Sequence, residues 1–259
     1  MTRPKPVIAY GTRGNLGGAD SGIRRVANTF GKELHLTSSV KAAERLAVES
    51  DAERLVSHLF TVDPRVRRFA PQPFTVDLID RRVLRTADEV CEARHRHRKR
   101  SGWRFYTPDY GLDHATMPRA VVEVKLEGFE GSSDYEGALC QARSVLDAAG
   151  YSFTRLVVPA NAKHPLRVNL QLLKMAAHRS DLLPDDERLS RISTICDGEP
   201  VALGELCATL EMLPGVVPVL LLHGLVKGDV ARQRICGAMR LEAAHGDLSH
   251  LHLLEELAK

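Results

Sequence analysis

Residues 120–126 read Ala-Val-Val-Glu-Val-Lys-Leu, an apolar strand pattern that contains two charges of opposite sign. Successive side chains of a strand point to opposite faces of its sheet, so Glu123 and Lys125 project from the same face. Burying two charges among valines costs free energy unless the charges pair or bind a ligand. The segment therefore predicts a buried strand that carries a polar site.

A second acid, Asp109, precedes Glu123 with thirteen residues between them, a separation that suits two strands of a hairpin. We expect Asp109 to stand next to Glu123, where two carboxylates repel each other until a divalent cation lies between them. Asp109, Glu123 and the backbone carbonyl of Val124 supply hard oxygen ligands, which predicts a Mg²⁺ site that Mn²⁺ can also fill.

Lys125 gives this predicted site a chemistry. Its ammonium group would orient or help deprotonate an attacking water, or neutralise charge on a scissile phosphate, which predicts hydrolysis of a phosphodiester. The alternative is a Glu–Lys pair on an exposed sheet face, with no ligand and no activity.

A basic segment, residues 94–104, contains no acid and favours contacts to phosphates, although a solvated loop is the alternative. Its cations are Arg94, Arg96, Arg98, Lys99, Arg100 and Arg104.

Cys91, His95 and His97 lack a fourth ligand at a zinc-like spacing, so zinc is disfavoured. Trp103, Phe105 and Tyr106 are typical of core residues at the start of a strand, and stacking on unpaired bases is the alternative.

Periodicity divides the chain into an irregular arm over 1–40, an α/β domain over 41–160 and a mainly helical domain over 161–259. In the second segment we expect a helix over 40–62 with a break near Ser50, and another over 134–149. We expect strands at 67–70, 74–84, 103–110, 120–126 and 153–158. Helix, strands, helix and strand in this order predict a mixed sheet flanked by helices. Short helices and a glycine-bracketed hairpin over 224–230 suggest a winged-helix module in the last segment.

The composition excludes several classes of protein. No apolar run approaches the ~18 residues of a membrane span, and the N-terminus leads into no apolar signal region. The five cysteines are scattered, without a C-x-x-C pair, which favours a reducing compartment. We therefore expect a cytoplasmic protein with no membrane segment.

Several short motifs follow one another in a distinctive order. They are Glu49-Ser50-Asp51-Ala52-Glu53-Arg54, Asp63-Pro64, Gln72-Pro73-Phe74, Tyr106-Thr107-Pro108-Asp109-Tyr110 and Val122-Glu123-Val124-Lys125. The last two resemble the PD-(D/E)XK nuclease signature, and over 48–126 the series resembles the N-terminal domain of the TnsA transposon endonucleases. The resemblance implies a restriction-endonuclease-like core within 41–160, followed by a winged-helix-like domain.

The resemblance also implies roles for residues. Glu53 would be the helix acid that joins Asp109, Glu123 and Lys125 in the catalytic group, and would be a further metal ligand. Glu49 is the rival, because we expect it one helical turn away on the same face. The family implies an enzyme that cuts the 5′ ends, on the non-transferred strand, of a transposon in double-stranded DNA. Its partners would be a transposase subunit and an ATPase regulator.

Two other functions fit the same residues. One is a stand-alone restriction or phage-defence nuclease, which would act without a transposase. The other is a non-catalytic DNA-binding assembly protein that keeps the nuclease fold as a scaffold. The basic segment is longer than the connection usual in the family, so the resemblance assigns it no role.

Overall fold

The computed structural model describes residues 19, 20, 22, 23, 34–42, 45–117, 119–129 and 131–258. Most of the predicted arm, 1–40, lies outside these residues. Contacts divide the chain into two compact units. The first contains the described residues up to Ser57, Arg65–Val158 and Ala258, and the second contains His58–Pro64 and Pro159–Leu257.

The first unit holds nine strands and two whole helices among its described residues. The strands are β1 (His35–Thr37), β2 (Leu46–Val48), β3 (Val66–Pro71), β4 (Thr75–Asp77), β5 (Arg82–Leu84), β6 (Phe105–Tyr106), β7 (Tyr110–His114), β8 (Ala120–Leu126) and β9 (Ser152–Val158). The helices are α2 (Ala87–Arg96) and α3 (Ser133–Ala148), and α1 (Asp51–Val62) begins in this unit.

The central sheet of the first unit has the strand order β3-β7-β8-β9. Strand β8 runs antiparallel to β7 and parallel to β9, because α3 carries the chain back between β8 and β9. The sheet is therefore mixed and flanked by helices, which confirms the predicted α/β class. The strands predicted at 67–70, 120–126 and 153–158 and the helix predicted at 134–149 are confirmed within one residue at most of their ends.

Helix α3 packs an apolar stripe against the strands. Ser132 caps its first turn by accepting a hydrogen bond from the backbone N–H of Tyr135, and the helix ends before Gly150, whose φ of 77° favours glycine. The core between this helix and the strands is formed by Phe74, Val76, Leu78, Tyr106, Val121, Ala138, Leu139, Ala142, Val145 and Leu146. This packing fixes the face of β8 from which Glu123 and Lys125 project.

Four predictions of local structure are wrong. The strand predicted at 103–110 is the short β6, after which β7 begins at Tyr110. Residues 46–48 form β2, which pairs with β1, so the helix begins only at Asp51. The predicted strand over 74–84 is the hairpin of β4 and β5. The first part of the basic segment belongs to helix α2, which starts with a capping box between Thr86 and Glu89.

The second unit is mainly helical with a small antiparallel sheet of strand order β10-β12-β11. Its elements are α4 (Pro165–Ala176), α5 (Asp186–Cys196), β10 (Val201–Ala202), α6 (Leu203–Thr209), α7 (Val217–Leu222), β11 (Val226–Lys227), β12 (Arg240–Ala243) and α8 (Leu254–Leu257). The hairpin predicted over 224–230 is wrong in extent, because β11 pairs with the distant β12. The loop between them is held by the buried Asn169, whose Nδ2 donates to the carbonyl groups of Val230 and Gln233.

Within the described residues, no single helix is long and apolar enough to cross a membrane. Helix α6 and the segment Pro214–Leu222 are sufficiently apolar only when taken together, and they are bent by 116° at the break between them.

Candidate active site

Glu123 is a buried carboxylate whose two oxygens both have donors. The residue is 3% exposed, and Nζ of Lys125 lies 2.7 Å from its Oε1. The hydroxyl of Tyr106 donates to Oε2 at 2.6 Å, and the hydroxyl of Tyr135 donates to Oε1. A buried carboxylate is tolerated when it is paired and hydrogen-bonded in this way. The buried Glu123 is thus paired with the half-buried Lys125, and the two do not form the exposed pair of the alternative interpretation.

Asp109 is hydrogen-bonded to β8, the strand that carries Glu123 and Lys125. It lies immediately before β7, whose register with β8 pairs Tyr110 with Val122 and so brings Asp109 to the level of Glu123. Oδ2 of Asp109 accepts a 2.7 Å hydrogen bond from the backbone N–H of Val124. The Asp109 carbonyl accepts another, at 2.9 Å, from the N–H of Gln72. These contacts fix both the backbone and the carboxyl group of Asp109.

The three predicted acids interact electrostatically. Burial raises the pKa of Asp109 well above its usual range, and the charges of Glu123 and Glu53 raise it further. The N–H of Val124 and the charge of Lys125 act in the opposite direction without cancelling these effects. Because the charges of Glu53, Glu123 and Lys125 all act on the Asp109 carboxyl, these four residues lie in one region of the structure.

The tyrosines around the acids stay protonated. Burial first, then the charges of Glu123 and Asp109, raises the pKa of Tyr106 well above its usual range. Burial and Glu123 act in the same direction on the pKa of Tyr135. Tyr106 and Tyr135 therefore serve Glu123 as hydrogen-bond donors and not as bases.

Glu53 also stabilises the start of helix α1. Its Oε1 accepts from the hydroxyl of Ser50 at 2.8 Å, its Oε2 accepts from the N–H of Glu49 at 3.0 Å, and its own N–H donates to Oγ of Ser50. This arrangement is a variant of the capping box that Ser-x-x-Glu predicts before a helix. The segment Ser50–Glu53, which carries part of the family resemblance, therefore also has a structural role that was not predicted.

The expected position of Glu49 is wrong. Helix α1 begins at Asp51, so Glu49 precedes the helix and does not lie on the same helical face as Glu53. Its carboxylate lies 3.5 Å from Nε2 of Gln72. Gln72 is buried and has a φ of 39°, a conformation that non-glycine residues rarely adopt. Because its N–H binds Asp109, Gln72 joins the segments that carry Glu49 and Asp109.

The basic segment is divided between a helix and a turn. Arg96 is paired with Asp80 at 3.3 Å, Arg98 contacts the ring of His95, and Arg104 donates to the carbonyl of His97. Arg94, Lys99 and Arg100 are exposed and make no ion pair within the described part of the chain. The exposed cations of this segment that have no ion pair among the described residues are therefore Arg94 on α2 and the pair Lys99-Arg100 after it.

Asp77, Asp80 and His97 form a cluster that the sequence analysis missed. Nε2 of His97 lies 3.1 Å from Oδ2 of Asp77 and 3.4 Å from Oδ2 of Asp80. The other oxygen of Asp77 accepts the N–H groups of Ile79 and Asp80, both at 3.0 Å. The cluster ties the end of α2 to the β4–β5 turn. It could have been suspected from the two acids at a turn, but the partnership with His97 depends on tertiary structure.

The side chains of Cys91, His95 and His97 do not converge in the structure. His97 is buried and faces Asp77, whereas Cys91 and His95 are exposed. Among the described residues, the one group of ligand-type side chains close enough to share a cation is Asp77, Asp80 and His97.

Comparison with known proteins adds no identification. No protein-family model matches the sequence, and no curated protein matches it.

Proposed function

We propose that this chain is a Mg²⁺-dependent endonuclease that cuts double-stranded DNA in the cytoplasm. The observation that carries the proposal is the arrangement of Asp109, Glu123 and Lys125. Lys125 lies 2.7 Å from the buried Glu123, and the N–H of Val124 holds the Asp109 carboxylate at the same level of the sheet. Glu123 and Glu53 also raise the pKa of the buried Asp109, and an acid perturbed in this way is typical of functional sites.

The chemistry of the donor set suits Mg²⁺ or Mn²⁺, and the three acids would have to move closer together to share one ion, because their ligand atoms do not all lie within 4.8 Å of one another. Carboxylate oxygens are the ligands that these hard cations prefer, and mutual repulsion among the three acids is what a cation would relieve. Asp109 and Glu123 would be the principal ligands, with Glu53 and the carbonyl of Val124 as further ones. When bound, the cation would lower the pKa of an attacking water and stabilise charge on the phosphate oxygens.

The chain's own residues would position the reaction. Lys125 lies 2.7 Å from Glu123 on β8, so its ammonium group would hold an attacking water or neutralise the scissile phosphate. The N–H of Val124 orients one oxygen of Asp109 and leaves Oδ1 as the oxygen for a cation. The hydroxyl of Tyr106, which donates to Oε2 of Glu123, would keep that carboxylate in place.

The element order of the second unit supports a winged-helix-like module. Helix α5 is followed by β10, then α6 and α7, then β11 and β12, with β12 in the middle of the sheet. Helix α7 is almost wholly apolar and buried. It is therefore unsuited to reading base edges, which favours contacts between this module and partner proteins over contacts with DNA bases.

The resemblance suggests the biological setting. As in the TnsA endonucleases, the enzyme would cut the 5′ ends of a transposon on the non-transferred strand, together with a transposase subunit and an ATPase regulator. A restriction or phage-defence nuclease would use the same residues without these partners. A scaffold without catalysis is disfavoured, because it would have no use for a buried Asp109 whose ionisation is opposed by the like charges of Glu123 and Glu53.

The test is nicking of supercoiled plasmid in Mg²⁺ or Mn²⁺, with the wild type beside Lys125→Ala. We expect cutting that needs the divalent cation and is lost in Lys125→Ala, but kept in the control Lys163→Ala, which changes an exposed lysine. Cutting only in the presence of a transposase encoded nearby would favour the transposon setting. DNA binding with no cutting by any variant would overturn the enzyme and support the scaffold.

A further inference from the structure

Trp103 is the single tryptophan of the chain, and it is 52% exposed. The prediction that it is a core residue is therefore wrong. Of the two aromatic residues considered with it, Tyr106 is buried in the core and Phe105 is half-buried. An exposed indole in a protein of this composition leaves a large apolar surface available for a ligand.

Trp103 is connected to the candidate active site through one side chain, Tyr135. The two rings meet edge to face with centroids 5.5 Å apart. Nζ of Lys125 lies 4.3 Å from the centroid of the same Tyr135 ring, and the Tyr135 hydroxyl donates to Glu123. The indole is thus two ring contacts away from the lysine that would meet the scissile phosphate.

The segment before Trp103 carries positive charge that has no ion-pair partner among the described residues. Lys99 and Arg100 are both exposed, and Gly102, with a φ of 77°, turns the chain between them and the indole. Exposed cations that follow a phosphate backbone, with an aromatic ring for the bases, are the two components of sites for unpaired nucleic acid.

We infer that the exposed indole of Trp103, held edge to face by Tyr135, is an aromatic shelf that stacks an unpaired DNA base next to the scissile phosphate. This inference rests on the proposed nuclease activity and names the substrate class, DNA that is locally unpaired at the cut. Bases inside a matched duplex are already stacked on both faces, so the indole can accept a base only where the duplex is opened. The shelf would favour cutting at mismatched, frayed or bent positions.

The intrinsic emission of Trp103 provides the test, because no other tryptophan contributes to it. In a metal-free buffer that prevents cutting, the full chain is titrated with a short single strand, a matched duplex and the same duplex with an internal mismatch. We expect saturable quenching by the single strand and the mismatched duplex at concentrations about ten-fold below those for the matched duplex. Equal quenching by all three DNAs, or none, would overturn the inference.

Variants separate stacking from folding. The DNA carries 2-aminopurine at the unpaired position, so its own emission reports stacking after Trp103 is removed. We expect Trp103→Ala to lose the quenching of 2-aminopurine, Trp103→Phe to keep most of it, and Phe129→Ala, a change at another exposed ring, to keep all of it. Equal quenching with Trp103→Ala and wild type would overturn the shelf.

The two proposals fail in different experiments. Metal-dependent nicking without selective quenching leaves the nuclease and removes the shelf. Selective quenching without nicking by any variant supports base stacking by Trp103 and removes the nuclease.

Discussion

The backbone N–H of Val124 donates a 2.7 Å hydrogen bond to Oδ2 of Asp109. This contact crosses from the central strand β8 to the residue that precedes β7, at the point where the two strands separate. It satisfies a backbone donor and fixes one oxygen of the carboxylate. The acid is thereby held beside Glu123 although burial and like charge both oppose its ionisation.

The first prediction concerns the stability of the metal-free protein. Asp109 has a folded-state pKa raised above its unfolded value, so its contribution to stability is complete below the unfolded pKa and is lost as the pH rises through the folded pKa. Asp109→Asn removes this loss. We expect the variant to melt a few degrees above the wild type at mildly alkaline pH, at about 2–4 °C per kcal/mol for a chain of this size. The difference should vanish at acidic pH, and a variant that melts lower at every pH would contradict the raised pKa.

The second prediction separates Glu53 from Glu49. Glutamine can replace glutamate at the third position of a capping box, so Glu53→Gln should keep the start of α1 within about 0.5 kcal/mol. The same change removes one of the charges that act on Asp109, and we expect it to abolish metal-dependent nicking. Glu49→Gln should retain nicking. Melting curves measure the stability of both variants, and plasmid nicking measures their activity. Equal cutting by the two variants would contradict the catalytic role of Glu53.

The third prediction concerns the two tyrosines bound to Glu123. Tyr106 is buried, so Tyr106→Phe leaves one oxygen of a buried carboxylate without its donor and should cost about 1–3 kcal/mol in the free energy of unfolding. Tyr135 is half-buried, and water can replace its hydroxyl, so Tyr135→Phe should cost less. Urea unfolding of the two variants measures the difference. Equal losses would show that the two hydroxyls see the same environment.

The fourth prediction concerns the cluster at the β4–β5 turn. His97→Ala leaves the fully buried Asp77 without its ring partner, and we expect a loss of about 1–3 kcal/mol in the free energy of unfolding. His95→Ala is the matched control, because His95 is exposed in the last turn of α2, two residues before His97. Loss of stability in both variants to the same extent would mean that the cluster does not anchor α2.

Strands β8 and β9 of the central sheet could be predicted because they are apolar, whereas β7, which reads Tyr-Gly-Leu-Asp-His, has too few apolar residues to be recognised. The segment that became β8 was recognised in full, since burial on both sides of a sheet leaves a continuous apolar run. The same pattern located Glu123 and Lys125 on one face. The spacing between Asp109 and Glu123 predicted that the two residues lie next to each other on adjacent strands. The register of β7 and β8 agrees with this prediction.

Other features depended on information that periodicity does not contain. Helix α2 buries only Val90 and Ala93, so it has almost no apolar stripe, and its capping box was the available signal. Strand β2 was mistaken for helix because three buried residues are too few to show a period of two. The hydroxyls of Tyr106 and Tyr135 reach Glu123 from β6 and α3, and such contacts arise only when the elements pack together.

The last prediction concerns the cations that would contact DNA. Lys99 and Arg100 are exposed, whereas Arg96 is paired with Asp80 at 3.3 Å. Each phosphate contact contributes about 0.9 to the slope of the logarithm of affinity against the logarithm of salt concentration. We expect Lys99→Ala and Arg100→Ala each to reduce this slope by about one, and Arg96→Ala to leave it unchanged. The measurement is DNA affinity of the full chain over a series of salt concentrations, without divalent cations. A drop in slope for Arg96→Ala as large as for Lys99→Ala would place the DNA backbone along α2 and not along the turn that leads to Trp103.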